Sequence, residues 1–195
     1  MMPKSLALAA LVLALGGCVN LGGGGKVPPT LFSLTPAKTA PAGASASGRI
    51  EDAIVVAEPE TDRRLGVQRV PVQVDDASVA YLQNAVWIER PARLFRALLA
   101  ETIRARGARL VFEDGEAASG AGVRLTGRLL EMGYDARSLS VVVRYDAIRS
   151  SKTGELVRRR FESVVPGVTA KPEAVGPALN RAANDVAVQV AEWVG

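Results

Sequence analysis

Hydrophobic positions along this chain fall into three patterns, and each predicts a different kind of segment. Residues 6–15 form one unbroken apolar run behind Lys4. From residue 50 onward the apolar residues alternate with polar ones in short bursts. Ile54-Val55-Val56 predicts a strand ended by Glu58-Pro59, and Val67, Val70, Val72 and Val74 predict another over 66–74, placed at a sheet edge because Pro71 interrupts it. Tyr81, Val86 and Trp87 predict a strand over 79–88. Leu110-Val111-Phe112 makes one more, followed by a turn at Glu113-Asp114-Gly115-Glu116. Val123, Leu125, Leu129 and Met132 predict a long strand, and Leu139, Val141, Val143, Tyr145 and Ala147 alternate strictly in the next. Ser150-Ser151-Lys152-Thr153-Gly154 supplies a turn into a third strand, Leu156–Val165.

The period changes to that of a helix twice. Leu94, Phe95, Leu98, Leu99, Thr102 and Ile103 lie on one helical face, with Pro91 suited to the first turn and Gly107 to the stop. Leu179, Ala182, Ala183, Val186, Val190 and Trp193 form a second stripe, predicting a helix from about Pro177 to Trp193. Strands, helix, strands, helix is the order of a single α+β domain, a mainly antiparallel sheet with two α-helices packed on one face.

The N-terminal run is far shorter than the ~20 residues needed to span a bilayer. One positive charge, a short apolar segment and small residues form a signal peptide, here residues 1–17. Leu15-Gly16-Gly17-Cys18 has the form of a lipobox, in which the cysteine thiol takes a diacylglycerol. Cys18 is the one cysteine of the chain, and an unpaired exposed thiol is a liability in an oxidising compartment, so lipidation accounts for it. Residues 18–30, with Gly22-Gly23-Gly24-Gly25 and Pro28-Pro29, have the composition of a flexible tether. A phosphate-loop reading of the glycines fails at Val27, where Ser or Thr is required, and no strand precedes them. The periplasmic domain is then 31–195. Val19 is not the Asp that marks retention at the inner membrane in well-studied bacteria, which directs the expectation to the periplasmic face of the outer membrane.

Composition then removes whole classes of function. There is no histidine, so Ser-His-Asp and Cys-His catalysis are excluded, as are the usual His/Cys zinc sets. No catalytic, metal or cofactor residue is assigned, and an enzyme is not expected. Asp75-Asp76 and the 113–116 carboxylates suit solvated turns, and Ser151-Lys152 lacks the spacing of a serine-lysine dyad. The balance of 24 basic to 20 acidic residues suits solubility or anionic lipid headgroups better than nucleic acid. Two features remain as candidate contacts for a partner or lipid. Arg158 and Arg160 face one way on their strand, Arg159 the other, and with Arg144 and Arg149 they make either a basic patch or a solvated edge that discourages aggregation. Trp87, just before the first helix, either lines a groove or anchors the core beneath that helix.

Several segments, in order, resemble the ABC-type transport auxiliary lipoproteins, the group that includes the lipoprotein of the paraquat-inducible operon. They are the lipobox at Cys18, Leu31-Phe32-Ser33-Leu34-Thr35-Pro36 (with Phe32 where the family has tyrosine), Ile54-Val55-Val56-Ala57-Glu58-Pro59, the strand over 65–74, and Tyr81-Leu82-Gln83-Asn84-Ala85-Val86-Trp87 running through Pro91 into the Leu94-Phe95 helix. The resemblance implies a docking module without catalysis. Its partners would be the membrane, through the N-terminal lipid, an ABC transporter and MCE-domain proteins that carry phospholipid, with a homo-oligomer compatible with a ring-shaped conduit. The alternative is a lipoprotein scaffold for another envelope machine, a lipopolysaccharide exporter plug or a cell-wall synthase activator.

Overall fold

The computed structural model describes residues 30–107, 109–113 and 120–195. The signal segment, Cys18, most of the tether and the Asp114-Gly115-Glu116 turn lie outside the described residues. Seven strands and two helices follow one another as β1 (Ile54–Val56), β2 (Arg69–Gln73), β3 (Val79–Val86), α1 (Pro91–Arg104), β4 (Val111–Glu113), β5 (Val123–Asp135), β6 (Ser140–Ser151), β7 (Leu156–Val165) and α2 (Pro172–Val194).

The α+β class expected from the pattern is the one observed. Antiparallel pairing dominates: β5 pairs β6 along its whole length, β6 pairs β7, and β2 pairs β3. The sheet is nevertheless mixed. β1 runs parallel to both β4 and β5, and β2 runs parallel to the far end of β5. A strand has two edges, and β6 occupies one edge of β5 throughout. β1 and β2 therefore lie end to end along the other, Ile54 opposite Val123 and Val72 opposite Tyr134.

That arrangement corrects the edge placement of the Pro71 strand: β2 sits between β3 and β5. Pro71 is tolerated because the ladder to β5 begins only at Val72, and the pairing with β3 shifts register between Arg69 and Pro71. Gly133 on β5 completes the fit, since a β-carbon there would lie 2.5 Å from the Pro71 carbonyl oxygen.

The helices cover one face. α2 lies across β6 and β7, and α1 packs beside α2 over β1 and β4. Val141, Val143, Tyr145 and Ala147 of β6 are fully buried beneath them, as their alternation requires. Leu139 departs from the expected strand. It is 56% exposed with φ 49°, because the Asp135 carboxylate accepts from the Arg137 and Ser138 amides and turns the chain before β6 begins. Phe95 of α1 meets Tyr145 edge-on at 5.3 Å, joining helix layer to sheet.

α2 starts at Pro172, earlier than the apolar stripe indicates, so Pro177 lies inside the helix. Pro172 takes the first helical position, where its missing N–H costs nothing. The carbonyl that Pro177 leaves without its helical donor belongs to Glu173, in the exposed first turn. The 31–36 segment docks on this helix by polar contacts. Asn180 accepts from the Thr35 amide at 2.8 Å. Asn184, 7% exposed, accepts from Ala37 N at 2.7 Å and donates to the Thr35 carbonyl at 3.0 Å. The same segment adds a short bridge, Phe32 N donating to Val86 O and Ile88 N to Phe32 O.

Gly127, in mid-β5, has φ 147°, and a β-carbon there would sit 2.0 Å from the Asp146 carbonyl oxygen. Gly127→Ala is expected to lower unfolding free energy by roughly 2–4 kcal/mol, whereas Gly48→Ala, facing only Leu110 at ordinary contact distance, stays within about 0.5 kcal/mol. Urea denaturation with unchanged m-value checks both; equal midpoints would refute the account of the β5–β6 ladder.

Candidate functional site

The helices leave the other face of the sheet uncovered, and strand alternation sends charged residues there. Hairpin registry decides which of them meet. From the Ser150–Leu156 pair the β6–β7 ladder runs without a break, so Ile148 stands opposite Arg158 and Asp146 opposite Arg160. On the other side of Asp146, across the β5–β6 ladder, stands Arg128.

Asp146 is the centre of this cluster. Its side chain is 6% exposed, and it accepts from Arg160 Nε at 2.6 Å, Arg160 Nη2 at 2.9 Å and Arg158 Nη2 at 2.5 Å. The hydrogen bonds from Arg160, opposed by burial and reinforced by Arg158, hold its carboxyl far below the usual carboxylate range. The Arg158 and Arg160 side chains remain 68% and 60% exposed, so the carboxylate fixes their position without covering them. Arg128 is exposed and has no ion-pair partner among the described residues.

The remaining basic residues divide between the two faces. Arg144 lies on the open face between Glu162, its close partner, and Glu131 at 3.8 Å. Arg64 donates to the Leu130 carbonyl at 2.6 Å and pairs with Glu131 and Asp62. Arg149 instead turns to the helix side, where its Nη1 donates to the Trp193 carbonyl at 3.3 Å and its guanidinium stacks over the indole. Arg159 stacks over Phe161, away from Arg158 and Arg160. The basic residues grouped from the sequence are thus split: Arg144, Arg158 and Arg160 share a face, and Arg149 leaves it because the residue periodicity of β6 carries it under α2.

A shallow groove of about 210 Å³ lies farther along the same face. Gly133 and Val142 floor it, and Arg64, Glu131, Arg137 and Arg144 rim it. Its charges are matched: Arg137 bridges Asp76 and Asp135, tying the β2–β3 turn to the β5–β6 turn. Asp75 caps its own turn through the Ala77 amide, as the solvated-turn reading requires. Glu113 lies on β4, paired with Arg96 at 3.2 Å.

Trp87 is elsewhere. It is 1% exposed in the core, edge-on to Phe32 with ring centroids 5.5 Å apart, and its Nε1 has no hydrogen-bond partner among the described residues. Asp146 and Arg128 carry the cluster, yet neither stood out in the sequence. The signal was there: counting outward from the Gly154 turn sets Asp146 against Arg160. No group of three acidic or cysteine side chains among the described residues could hold a metal ion, and no described helix is long and apolar enough to cross a membrane.

Among the solved structures that share this fold are two that overlap most of the chain. One is a Xanthomonas campestris protein of the DUF330 family, 14% identical, with a TM-score of 0.66 over 86% of this chain and 92% of its own. The other is a protein described as uncharacterized, 12% identical, TM-score 0.63, covering 77% of this chain and 97% of its own. A PelC dodecamer from Paraburkholderia phytofirmans overlaps less well, at 15% identity and a TM-score of 0.43 over 75% of this chain and 91% of its own. No functionally curated protein matches the sequence at a significant level. The family model described as "ABC-type transport auxiliary lipoprotein component" matches residues 32–191.

Asp146→Asn is expected to cost on the order of 1–2 kcal/mol at neutral pH, since the amide keeps the shape but loses two charge-assisted contacts to exposed partners. The folded-state pKa lies below the unfolded one, so the carboxylate's stabilisation is complete above about 3.9 and fades only as acid titrates the folded form. Chemical denaturation of both proteins between neutral pH and strong acid should show the gap constant, then closing. A gap that closes above pH 5 would contradict this geometry.

Proposed function

The chain belongs to the ABC-type transport auxiliary lipoprotein component family, and from that premise we propose that it is the docking subunit of a phospholipid-transport system. Its residues 1–17 direct export, Cys18 carries the acyl chains, and residues 18–30 tether the 31–195 domain to the periplasmic face of the outer membrane. There it receives the end of a conduit formed by MCE-domain proteins and energised by an ABC transporter. One observation carries the reading. The family match begins at Phe32, the first residue paired into the fold, and ends in the last turns of α2 at position 191, so the whole folded body is the auxiliary component.

The architecture supports a docking part more than a moving one. The long β5–β6 ladder, the Asn180 and Asn184 clamp on the 35–37 segment and the Arg137 tie between two turns make a stiff body. A stiff body on a flexible tether presents fixed surfaces while searching only the volume its tether allows. Two or more acyl chains hold such a body to a bilayer far more firmly than one.

Affinity-tagged protein taken from membranes in mild detergent is expected to bring down ABC transporter subunits together with an MCE-domain protein. The Cys18→Ala form is expected to leave the membrane fraction and to lose those partners in cells. Recovery of a β-barrel exporter or a cell-wall synthase with no ABC subunit would overturn the assignment, as would a Cys18→Ala protein that stays bound and functional.

A further inference from the structure

We propose that the uncovered face of the β5–β6–β7 sheet is a membrane-contact surface, on which Arg128, Arg158 and Arg160 seat the domain against anionic phospholipid headgroups. The inference rests on the lipid-anchored reading above and adds an orientation to it, with the sheet toward the bilayer and the helices away.

The surplus of positive charge on this face is local. Toward the β2–β3 turn, Arg64, Arg137 and Arg144 are all paired and are outnumbered by Asp62, Asp76, Glu131, Asp135 and Glu162. Toward the β6–β7 turn, Arg128, Arg158 and Arg160 share the face with Asp146 and with Glu60, which bridges beside Arg128. Asp146 is spent on holding Arg158 and Arg160, whose outward sides stay open. Arg128 carries an unpaired charge among the described residues. Leu156, 71% exposed, and the half-buried Ile148 lie among these arginines on the same face.

The shape of the surface selects a bilayer over an acidic peptide. The charges come from three adjacent strands, about 4.8 Å apart, and so spread across the sheet instead of lining a single strand. Guanidinium forks pair with phosphate oxygens two at a time, and an array of them suits a plane of headgroups. Exposed apolar side chains set among basic ones are the usual dress of a surface that lies on an anionic interface.

Reach permits it. Thr30 lies on the helix side, beside Phe32, Pro172 and Gly176. The chain between Cys18 and Thr30 can extend to about 40 Å at ~3.3–3.6 Å per residue. A sheet and one helix layer together are roughly 20 Å thick, so an anchored domain can turn its uncovered face down. Anchoring also raises the local headgroup concentration, so contacts too weak to recruit a free protein suffice to orient a tethered one.

The test uses the full lipidated protein in phosphatidylcholine vesicles, with or without phosphatidylglycerol. A donor fluorophore is placed by Leu156→Cys on the sheet face or by Arg181→Cys on α2, and acceptors are carried on lipid headgroups. Energy transfer from position 156 is expected to rise about threefold with phosphatidylglycerol and to fall back at high salt, while transfer from position 181 stays low. Arg128→Gln, which breaks no ion pair and sets no carboxylate beside Asp146 and Glu60, should remove part of the rise; Arg128→Gln, Arg158→Gln and Arg160→Gln combined with Asp146→Asn, which leave no carboxylate without its partner, should remove most of it. Asp146→Asn, which frees positive charge, should retain or enlarge it. Transfer from position 156 that ignores phosphatidylglycerol, or that survives the combined variant, overturns the proposal. Failure of the anchor reading is seen separately, as protein that does not stay with neutral vesicles at all.

Discussion

The β5–β6 ladder is the constraint on which the molecule depends. Twelve residue pairs, from Val123–Ser151 to Asp135–Ser140, hold two long strands in one register, with a single irregularity near Leu130. Every other strand is placed by reference to it: β7 on the outer edge of β6, β1 and β2 in tandem on the outer edge of β5, and β3 and β4 beyond those. Gly127 and Gly133 show how tightly it is drawn, because each occupies a place where the neighbouring backbone leaves no room for a β-carbon. A slip of β6 by one residue would exchange its two faces, burying Arg144 and Asp146 and exposing Val143 and Tyr145.

From that register the two-faced character of the domain follows. One face is mostly apolar and needs the amphipathic helices to remove it from water; Tyr145 and Phe95 join the layers where they meet. The other face stays wet, and its charged side chains are settled by pairing across strands. Asp146 shows the physics of that pairing well. A carboxylate with so little exposed surface would be costly alone, and two guanidinium groups reaching over it from the edge strand make it tolerable. The same contacts fix Arg158 and Arg160 in place, so an interaction that serves the fold also shapes the surface offered to the surroundings.

A transport auxiliary lipoprotein of this build is best understood as a positioned surface. Its family membership places it with an ABC-type system, and its sheet presents one cross-linked half in which carboxylates outnumber arginine and one half with surplus arginine. The helix side carries the point at which the N-terminal segment joins the body, pinned by Asn180 and Asn184. Where the N-terminal segment joins the body and where the surplus arginines lie are thus set on opposite layers of the domain.

Much of this was legible in residue order. Strict alternation at Val141, Val143, Tyr145 and Ala147 and the helical stripe at Leu94, Phe95, Leu98 and Leu99 marked their elements, because burial on one face is a local, periodic demand. The α+β class followed from the order of those elements, and the family from an ordered series of short matches. The tertiary structure alone decided what depends on partners distant in sequence. Pro71 could enter an interior strand because its neighbour begins pairing one residue later. Pro177 could lie inside α2 because the turn before it is exposed. Arg149 left the arginine group because β6 carries it under Trp193. Asp146 became the centre of the site only when hairpin register brought Arg158 and Arg160 across to it. Local periodicity fixes which face a side chain takes; who stands beside it on that face is a matter of strand pairing, and the energy of that choice is spread over the whole sheet.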